Sequence, residues 1–409
     1  MILETERREP AESARSGHVS RILVLVWVVG CSLLLFACTS LLDKPKQWLD
    51  REKEPRAPAD LVDLGPESLK VKSVWSNSIG SPENIYHSLQ PFISGDRVYV
   101  AGAENRIEAW DLSNGKRIWS VAIQEQISGG VNGGDEIVVV GTESGLVMAL
   151  NSFDGEEVWR APLSSEVLKF SSVKHGVIIA RTNDSAVFAL DVGNGDVAWK
   201  ASRSSPLLTL RGASQPKIAG SAVLVGYDDG KLVALSLLDG EEVWRNTVSM
   251  PTGRSELDRI ADIDGEIVYL DDVVYAVNFN GRAVAVDMVT GRMKWARDMS
   301  SHAGLGVDES RVYVVDEDSS IWALDRTSGA TLWRQDKLLY RSLTAPVAMG
   351  DHIVVGDFKG YVHWLSKKDG QLAGRYKVSG DAIECTPFIA GQYAYVFAQD
   401  GSFEVLQSP

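Results

Sequence analysis

The amino-acid sequence predicts an all-β fold: eight four-stranded blades arranged as a propeller, with the ring closed by the chain's own amino-terminal strand. Three observations predict it. A unit of roughly 40 residues, the length of a propeller blade, recurs along the chain. A tryptophan closes that unit at Trp75, Trp119, Trp159, Trp199, Trp244, Trp295 and Trp333. Finally, a lone closing strand precedes the first full copy, while the last copy stops before reaching its own.

The unit is clearest in Gly134 to Trp159, Gly220 to Trp244, Asp271 to Trp295 and Asp308 to Trp333. Each contains a β-branched run, a Gly/Asp/Asn/Ser turn, an alternating run ending in Ala-Leu or Ala-Val, a turn of the form Asp-x-x-x-Gly, and a short run ending in Trp. These read as three strands joined by two tight hairpins. The glycine of the second turn recurs at Gly115, Gly155, Gly195, Gly240, Gly291, Gly329 and Gly370, because a positive φ is least costly without a side chain. One step beyond Trp333 the ruler lands on Gly374, so the seventh copy keeps its turn and loses its tryptophan.

The eighth copy, Gly391 to Leu406, lacks a closing strand, and Leu69 to Ser78, which carries Trp75, is the strand it lacks. Pairing the two closes the ring and leaves no open edge. The remaining, innermost strand of each blade is expected in the less regular stretches after each tryptophan, such as Ser171-Ser-Val-Lys and Cys385-Thr-Pro-Phe. Trp110, Trp322 and Trp364 are expected to share a second repeat position beside the Ala-Leu pairs. Trp48 has no place in the repeat and suits a membrane interface. The two or three separate domains that 409 residues would ordinarily suggest do not explain a strand that begins without its hairpin.

Composition narrows the partners. Apolar residues make up 44% of the chain and charged residues 23%, so it can bury a core. A formal charge of -14 repels polyanions and argues against nucleic acid as a partner. Three cysteines cannot build a disulfide framework.

The amino terminus reads as an export signal. Arg7, Arg8, Arg15 and Arg21 precede a stretch from Ile22 to Leu42 without a charge. Its end, Leu35-Phe36-Ala37-Cys38, resembles a bacterial lipoprotein box, which implies cleavage after residue 37 and lipid attachment to Cys38. By resemblance to enterobacterial lipoproteins, Thr39 at the next position favours the outer membrane. Two alternatives stay open: modification at Cys31, and an uncleaved anchor, since the uncharged stretch reaches the ~20 residues that span a bilayer. The acidic residues before the apolar run leave room for a translation start downstream of Met1. Residues 38–70, with Pro55, Pro58 and Pro66, read as a semi-extended tether, and 71–409 as the propeller.

The unit Asp-Gly-x-Val-x-Ala-Leu-x-x-x-x-Gly-x-x-x-Trp resembles the pyrroloquinoline-quinone-type repeat. With the lipoprotein signal and tether, the whole chain resembles the BamB family of the outer-membrane β-barrel assembly (BAM) machine. That resemblance implies a non-catalytic scaffold that needs no cofactor, faces the periplasm, and binds the periplasmic domains of BamA, the barrel-forming subunit. Two inserted stretches carry it further: Pro206-Leu-Leu-Thr-Leu-Arg-Gly-Ala-Ser-Gln-Pro216 and Glu256-Leu-Asp-Arg-Ile-Ala-Asp-Ile-Asp264. Carried over from the family, Leu208, Leu210 and Arg211, with Asp262 and Asp264, form the docking surface. Apolar anchors beside charges able to make directional hydrogen bonds suit an interface. The competing structural reading has the leucines capping two blades and Arg211 pairing internally with Asp262 or Asp264.

The repeat is shared with quinone dehydrogenases, so a lipid-anchored enzyme of that kind is the alternative function. Against it, no adjacent cysteines occur, and Cys385 reads as a small buried hydrophobe. The acidic runs Asp228-Asp229-Gly230, Asp271-Asp272 and Asp316-Glu317-Asp318 read as turn residues. Asp262-Ile-Asp-Gly265 lacks the remaining ligands of a calcium loop. The six histidines show no zinc spacing, although His352 and His363 could approach one another across a hairpin.

Overall fold

In the computed structural model, residues 56–81, 89–134, 136–203, 214–248, 262–263 and 265–408 are described. The chain divides into two compact units, Met1–Ala57 and Pro58–Pro409. The expected signal peptide, Cys31, Cys38 and Trp48 lie outside the described residues. Within the described residues no helix is long and apolar enough to cross a membrane.

Regular structure in the second unit is almost entirely strand, broken by a three-residue 3-10 turn at Ala103–Asn105. It forms eight antiparallel four-stranded sheets. Blade 1 runs outward through Phe92–Ser94, Arg97–Gly102, Arg106–Asp111 and Arg117–Ala122. Blades 2 to 7 follow the same order over 127–162, 167–201, 217–247, 268–298, 305–335 and 347–377. Blade 8 takes three strands from the carboxyl end and its outermost from Lys72–Ser78, which pairs with Ser402–Gln407 at Trp75↔Val405 and Ser76↔Glu404. The predicted ring closure is the observed one.

The innermost strands fall slightly away from the expected stretches. Blade 3 begins at Val167–Phe170, just before Ser171, and blade 8 at Phe388–Ala390, just after the Cys385 turn. The outer three strands announce themselves by tight turns, whereas the innermost is only three or four residues long in most blades and leaves little pattern to read.

Each closing tryptophan packs against the next blade. The indole N–H groups of Trp75, Trp119, Trp159, Trp199, Trp244, Trp295 and Trp333 donate to the carbonyls of Leu112, Ser152, Val192, Leu237, Met288, Arg326 and Lys367, at 2.7 to 3.0 Å. Each ring lies against the turn glycine of that next blade. A Cβ built on Gly240, where φ is +74°, would stand 2.5 Å from the Trp199 ring. Within the blade, every repeat tryptophan except Trp75 faces an alanine across the strand pair, as in Ala149↔Trp159 and Ala234↔Trp244. The small partner makes room for the large one.

Blade 7 inverts this pairing, with Trp364 opposite Gly374. Trp110 and Trp322, in contrast, pair with Arg117 and Arg334. The three tryptophans therefore occupy three successive repeat positions, not a shared one: Trp364 stands where other blades have alanine, Trp322 one residue before it and Trp110 one after. A Cβ on Gly374 would meet Leu69, whose N–H donates to Ala373 at 2.8 Å.

Residues 58–70 lie along blades 6 and 7. Ala59 N–H donates to the Leu339 carbonyl at 2.9 Å, Arg341 and Arg375 donate to the carbonyls of Ala59 and Val62 at 3.0 Å, and Leu61 packs beside Leu338, Leu343 and Trp333.

Deleting a lock should be costly. Trp199→Ala should destabilise the propeller by about 3–5 kcal/mol, and Gly240→Ala by more than about 1 kcal/mol, since its conformation and its neighbour both oppose a side chain. Gly374→Trp, which restores the repeat on paper, should destabilise because it displaces Leu69. Urea unfolding of the three variants checks this, and a Gly374→Trp protein at least as stable as the parent would refute the account.

Candidate docking surface

The connections between blades and the turns between each blade's second and third strands share one end of the propeller, because neighbouring strands are antiparallel. Both inserted stretches are connections of this kind, between blades 3 and 4 and between blades 4 and 5. Leu208, Leu210, Arg211 and Asp264 lie outside the described residues, but the stems on either side, and Asp262, are described.

Asp262 is fully buried, and its backbone carbonyl accepts the Phe279 N–H at 3.1 Å. Ile263 beside it is buried in the core shared by blades 4 and 5, close against Gly226, where a Cβ would stand 2.5 Å from its Cγ2. Its N–H reaches the Tyr227 carbonyl at 3.4 Å. Asp262 therefore serves the base of its loop.

A cluster of charge that sequence reasoning missed lies under these stems. Arg181, 1% exposed on the second strand of blade 3, donates from Nη2 to Asp228 Oδ1 at 2.7 Å and from Nη1 to the Gly226 carbonyl, with Ser214 Oγ at 3.4 Å. Ser185 Oγ donates to Asp228 Oδ2 at 2.8 Å. The guanidinium groups of Arg181 and Arg203 lie 5.3 and 5.1 Å from the Tyr227 ring centre, and Arg203 also pairs with Glu242. Burial raises the Tyr227 hydroxyl above its ordinary pKa against the lowering pull of both arginines. The signal present in the sequence was Asp228-Asp229-Gly230. Its glycine does make the turn, at φ +74°, and Asp229 pairs locally with Lys231. Asp228, however, reaches across to the preceding blade, and a repeat pattern does not display such a contact.

In the other acidic runs Asp316 and Asp272 stay with their turns, while Asp271 reaches across to the next blade. Asp316 accepts the backbone N–H groups of Asp318 and Ser320 and the Trp322 indole, and Asp272 accepts the Tyr269 hydroxyl. Asp271 pairs with Arg326 at 2.7 Å. The described residues contain no group of three or more metal-ligating side chains. Cys385 is buried, its S–H donates to the Leu89 carbonyl at 3.0 Å, and burial pushes the thiol up to about 12, which leaves it unreactive.

His352 and His363 do not meet: they pair across the hairpin with Ser366 and Val355. His363 instead joins a second buried charge cluster. Asp357 Oδ2 accepts from Arg341 at 2.7 Å and from His363 Nε2 at 2.9 Å, while Arg375 donates to His363 Nδ1 at 3.4 Å. With one ring nitrogen donating and the other accepting, the imidazole is neutral. Burial lowers the His363 pKa, outweighing the upward pull of Asp357. Burial alone would raise the Asp357 carboxyl, but the bonds from His363, Tyr361 N–H and Arg341 outweigh it and hold it below the usual range.

Comparison with known proteins settles which of the repeat's users this chain resembles. The family model described as outer membrane protein assembly factor BamB matches residues 103–335 and 325–408. The factor of that name from Pseudomonas aeruginosa is 43% identical over 385 residues, 94% of this chain and 97% of the relative. The chain belongs to the BamB family. The crystal structure of BamB from Moraxella catarrhalis matches with a TM-score of 0.75 at 29% identity, over 82% of this chain and 99% of that one. The quinohemoprotein alcohol dehydrogenase of Comamonas testosteroni matches with a TM-score of 0.64 but at 12% identity, over 86% and 78%, so it shares the fold alone. BamB relatives are named as assembly factors, not as enzymes, and the name places this family at the outer membrane.

The second cluster sets a pH dependence. A histidine whose pKa is lowered in the fold binds fewer protons there than in the unfolded chain, so stability rises with pH between its folded value and the ordinary ~6.5. His302 and His352, also lowered by burial, add in the same direction. Unfolding free energy should fall as pH drops from 7.5 to 5.5, and His363→Gln should flatten the slope. An unchanged slope in that variant would assign the effect elsewhere.

Proposed function

We propose that this chain is a non-catalytic lipoprotein scaffold of the BAM complex, anchored through Cys38, facing the periplasm, and bound to BamA's periplasmic domains through the connections after blades 3 and 4. In this role it aids the folding and insertion of outer-membrane β-barrel proteins. The observation that carries the reading is family membership along nearly the whole chain, joined to the two stretches in which the chain departs from its own repeat.

Leu208 and Leu210 supply apolar anchors, Arg211 and Asp264 supply orientation, and Asp262, buried, holds the loop base. The closed ring favours a scaffold role: its packing is spent on rigidity, and a rigid body presents loops at little ordering cost. Unfolded barrel precursors are a second class of partner in this reading. The outermost strands offer an edge for strand addition, and Val158, Val197, Val243 and Leu332 on those strands are about half exposed. A quinone-dependent dehydrogenase is not favoured, because its resemblance ends at the fold.

Two experiments test the reading. Leu208→Ala/Leu210→Ala/Arg211→Ala should lose co-purification with BamA from detergent-solubilised membranes while staying folded, and retention of BamA would defeat the docking claim. Cys38→Ser should abolish incorporation of labelled palmitate and release the protein from the membrane fraction. Labelling that survives in Cys38→Ser and disappears in Cys31→Ser would move the anchor.

A further inference from the structure

Three separated stems converge on Tyr227. Arg203, at the entry of the connection between blades 3 and 4, lies over the Tyr227 ring. Ser214, at that connection's exit, is fully buried, with its hydroxyl bonded to Gly226 N–H and carbonyl at 3.0 and 3.2 Å and Arg181 Nη1 at 3.4 Å. Ile263, at the exit of the connection between blades 4 and 5, reaches the Tyr227 carbonyl and packs on Gly226. Residues 226 to 228 thus hold one end or both ends of each stretch, and Arg181 ties them to blade 3 through Asp228.

The hub is not built for stability alone. Arg181 Nε and the Tyr227 hydroxyl are buried without a hydrogen-bond partner among the described residues. Buried polar groups are almost always paired, and those that are not call for a reason such as function. The ring has a second buried Arg–Asp pair, Arg341–Asp357, which holds residues of the amino-terminal segment. The two pairs are alike in burial and differ in what they fasten.

We infer that Arg181, Tyr227, Asp228 and Arg203 are positioning residues for partner docking: one charged and aromatic hub sets the stems of both loops together, so the two act as a single surface. This rests on the docking reading above and deepens it. None of the four need touch the partner. They act by fixing where Arg203, Ser214 and Ile263 leave the blades.

The test measures binding of the purified, full-length mature variants to the isolated periplasmic domains of BamA, with folding followed by circular dichroism and thermal melting. Arg181→Met should weaken binding by about tenfold, the scale of losing a few directional contacts, and Arg341→Met, also buried but in the connection between blades 6 and 7, should leave it unchanged. Arg203→Met, which leaves Glu242 with Arg245 at 2.6 Å, perturbs the hub from its more exposed side and should also weaken binding should Arg181→Met fail to fold. Combined with Arg211→Ala, Arg181→Met should lose less than the product of the two single effects, because both act on one loop.

Equal losses in Arg181→Met and Arg341→Met would overturn the inference, as general destabilisation. So would intact binding in both Arg181→Met and Arg203→Met while the triple loop variant is defective, and in that case the docking reading stands. Intact binding in the triple variant removes the docking reading itself and the inference with it.

Discussion

Everything in this ring depends on one contact made seven times: a tryptophan on the outer strand of a blade lying against the turn glycine of the next. The ladders of a blade pair its four strands only with one another, so strand pairing alone does not specify the neighbouring blade. The indole does. It covers the turn, donates to a carbonyl there, and accepts no side chain in place of the glycine. One residue thereby specifies distance, direction and partner, and the alanine opposite it in the same blade keeps the sheet from being overfilled.

The same contact explains where the pattern breaks. Locking blade 7 to blade 8 would need a turn between the third and fourth strands of blade 8, and there is none, because those strands come from opposite ends of the chain. A tryptophan at position 374 would have no turn to dock on. The chain puts glycine there, moves the large residue to Trp364 on the facing strand, and lays Leu69 over the gap as it runs into its closing strand. Three departures from the repeat, Gly374, Trp364 and the orphan strand at Trp75, are consequences of one topological fact.

The repeat made the fold legible, and only what repeats was legible. Tight turns and tryptophan spacing exposed three strands per blade, the blade count and the closure. The innermost strands were placed a few residues off, since three residues such as Phe388–Ala390 hold too little alternation to read. At the candidate site, the loops were visible as insertions, and their residues came from family resemblance. What the sequence concealed was side-chain partners: His363 answers Asp357 of its own blade and not His352, Asp262 is buried, and between blades Asp228 answers Arg181 and Asp271 answers Arg326. Such contacts join residues tens of positions apart and differ from blade to blade, so no period reveals them.

The lock also divides the molecule's two ends by what each can vary. The turns between third and fourth strands receive the tryptophans, and their geometry is fixed by the glycine each must keep. At the other end the repeated contacts are backbone hydrogen bonds between turn and connection, such as Val248 N–H to Gly230 and Phe279 N–H to Asp262, which carry no tryptophan lock, and there the structure departs from its repeat: the two inserted connections, the buried Arg181–Asp228 and Arg341–Asp357 pairs, and the contacts of Ala59 with Leu339 and Arg341. The proposed docking loops and the contacts of the amino-terminal segment thus share the end on which no tryptophan lock is made. Because the loops there are inserted between locked blades, they can change in sequence without loosening the ring, provided their stems hold.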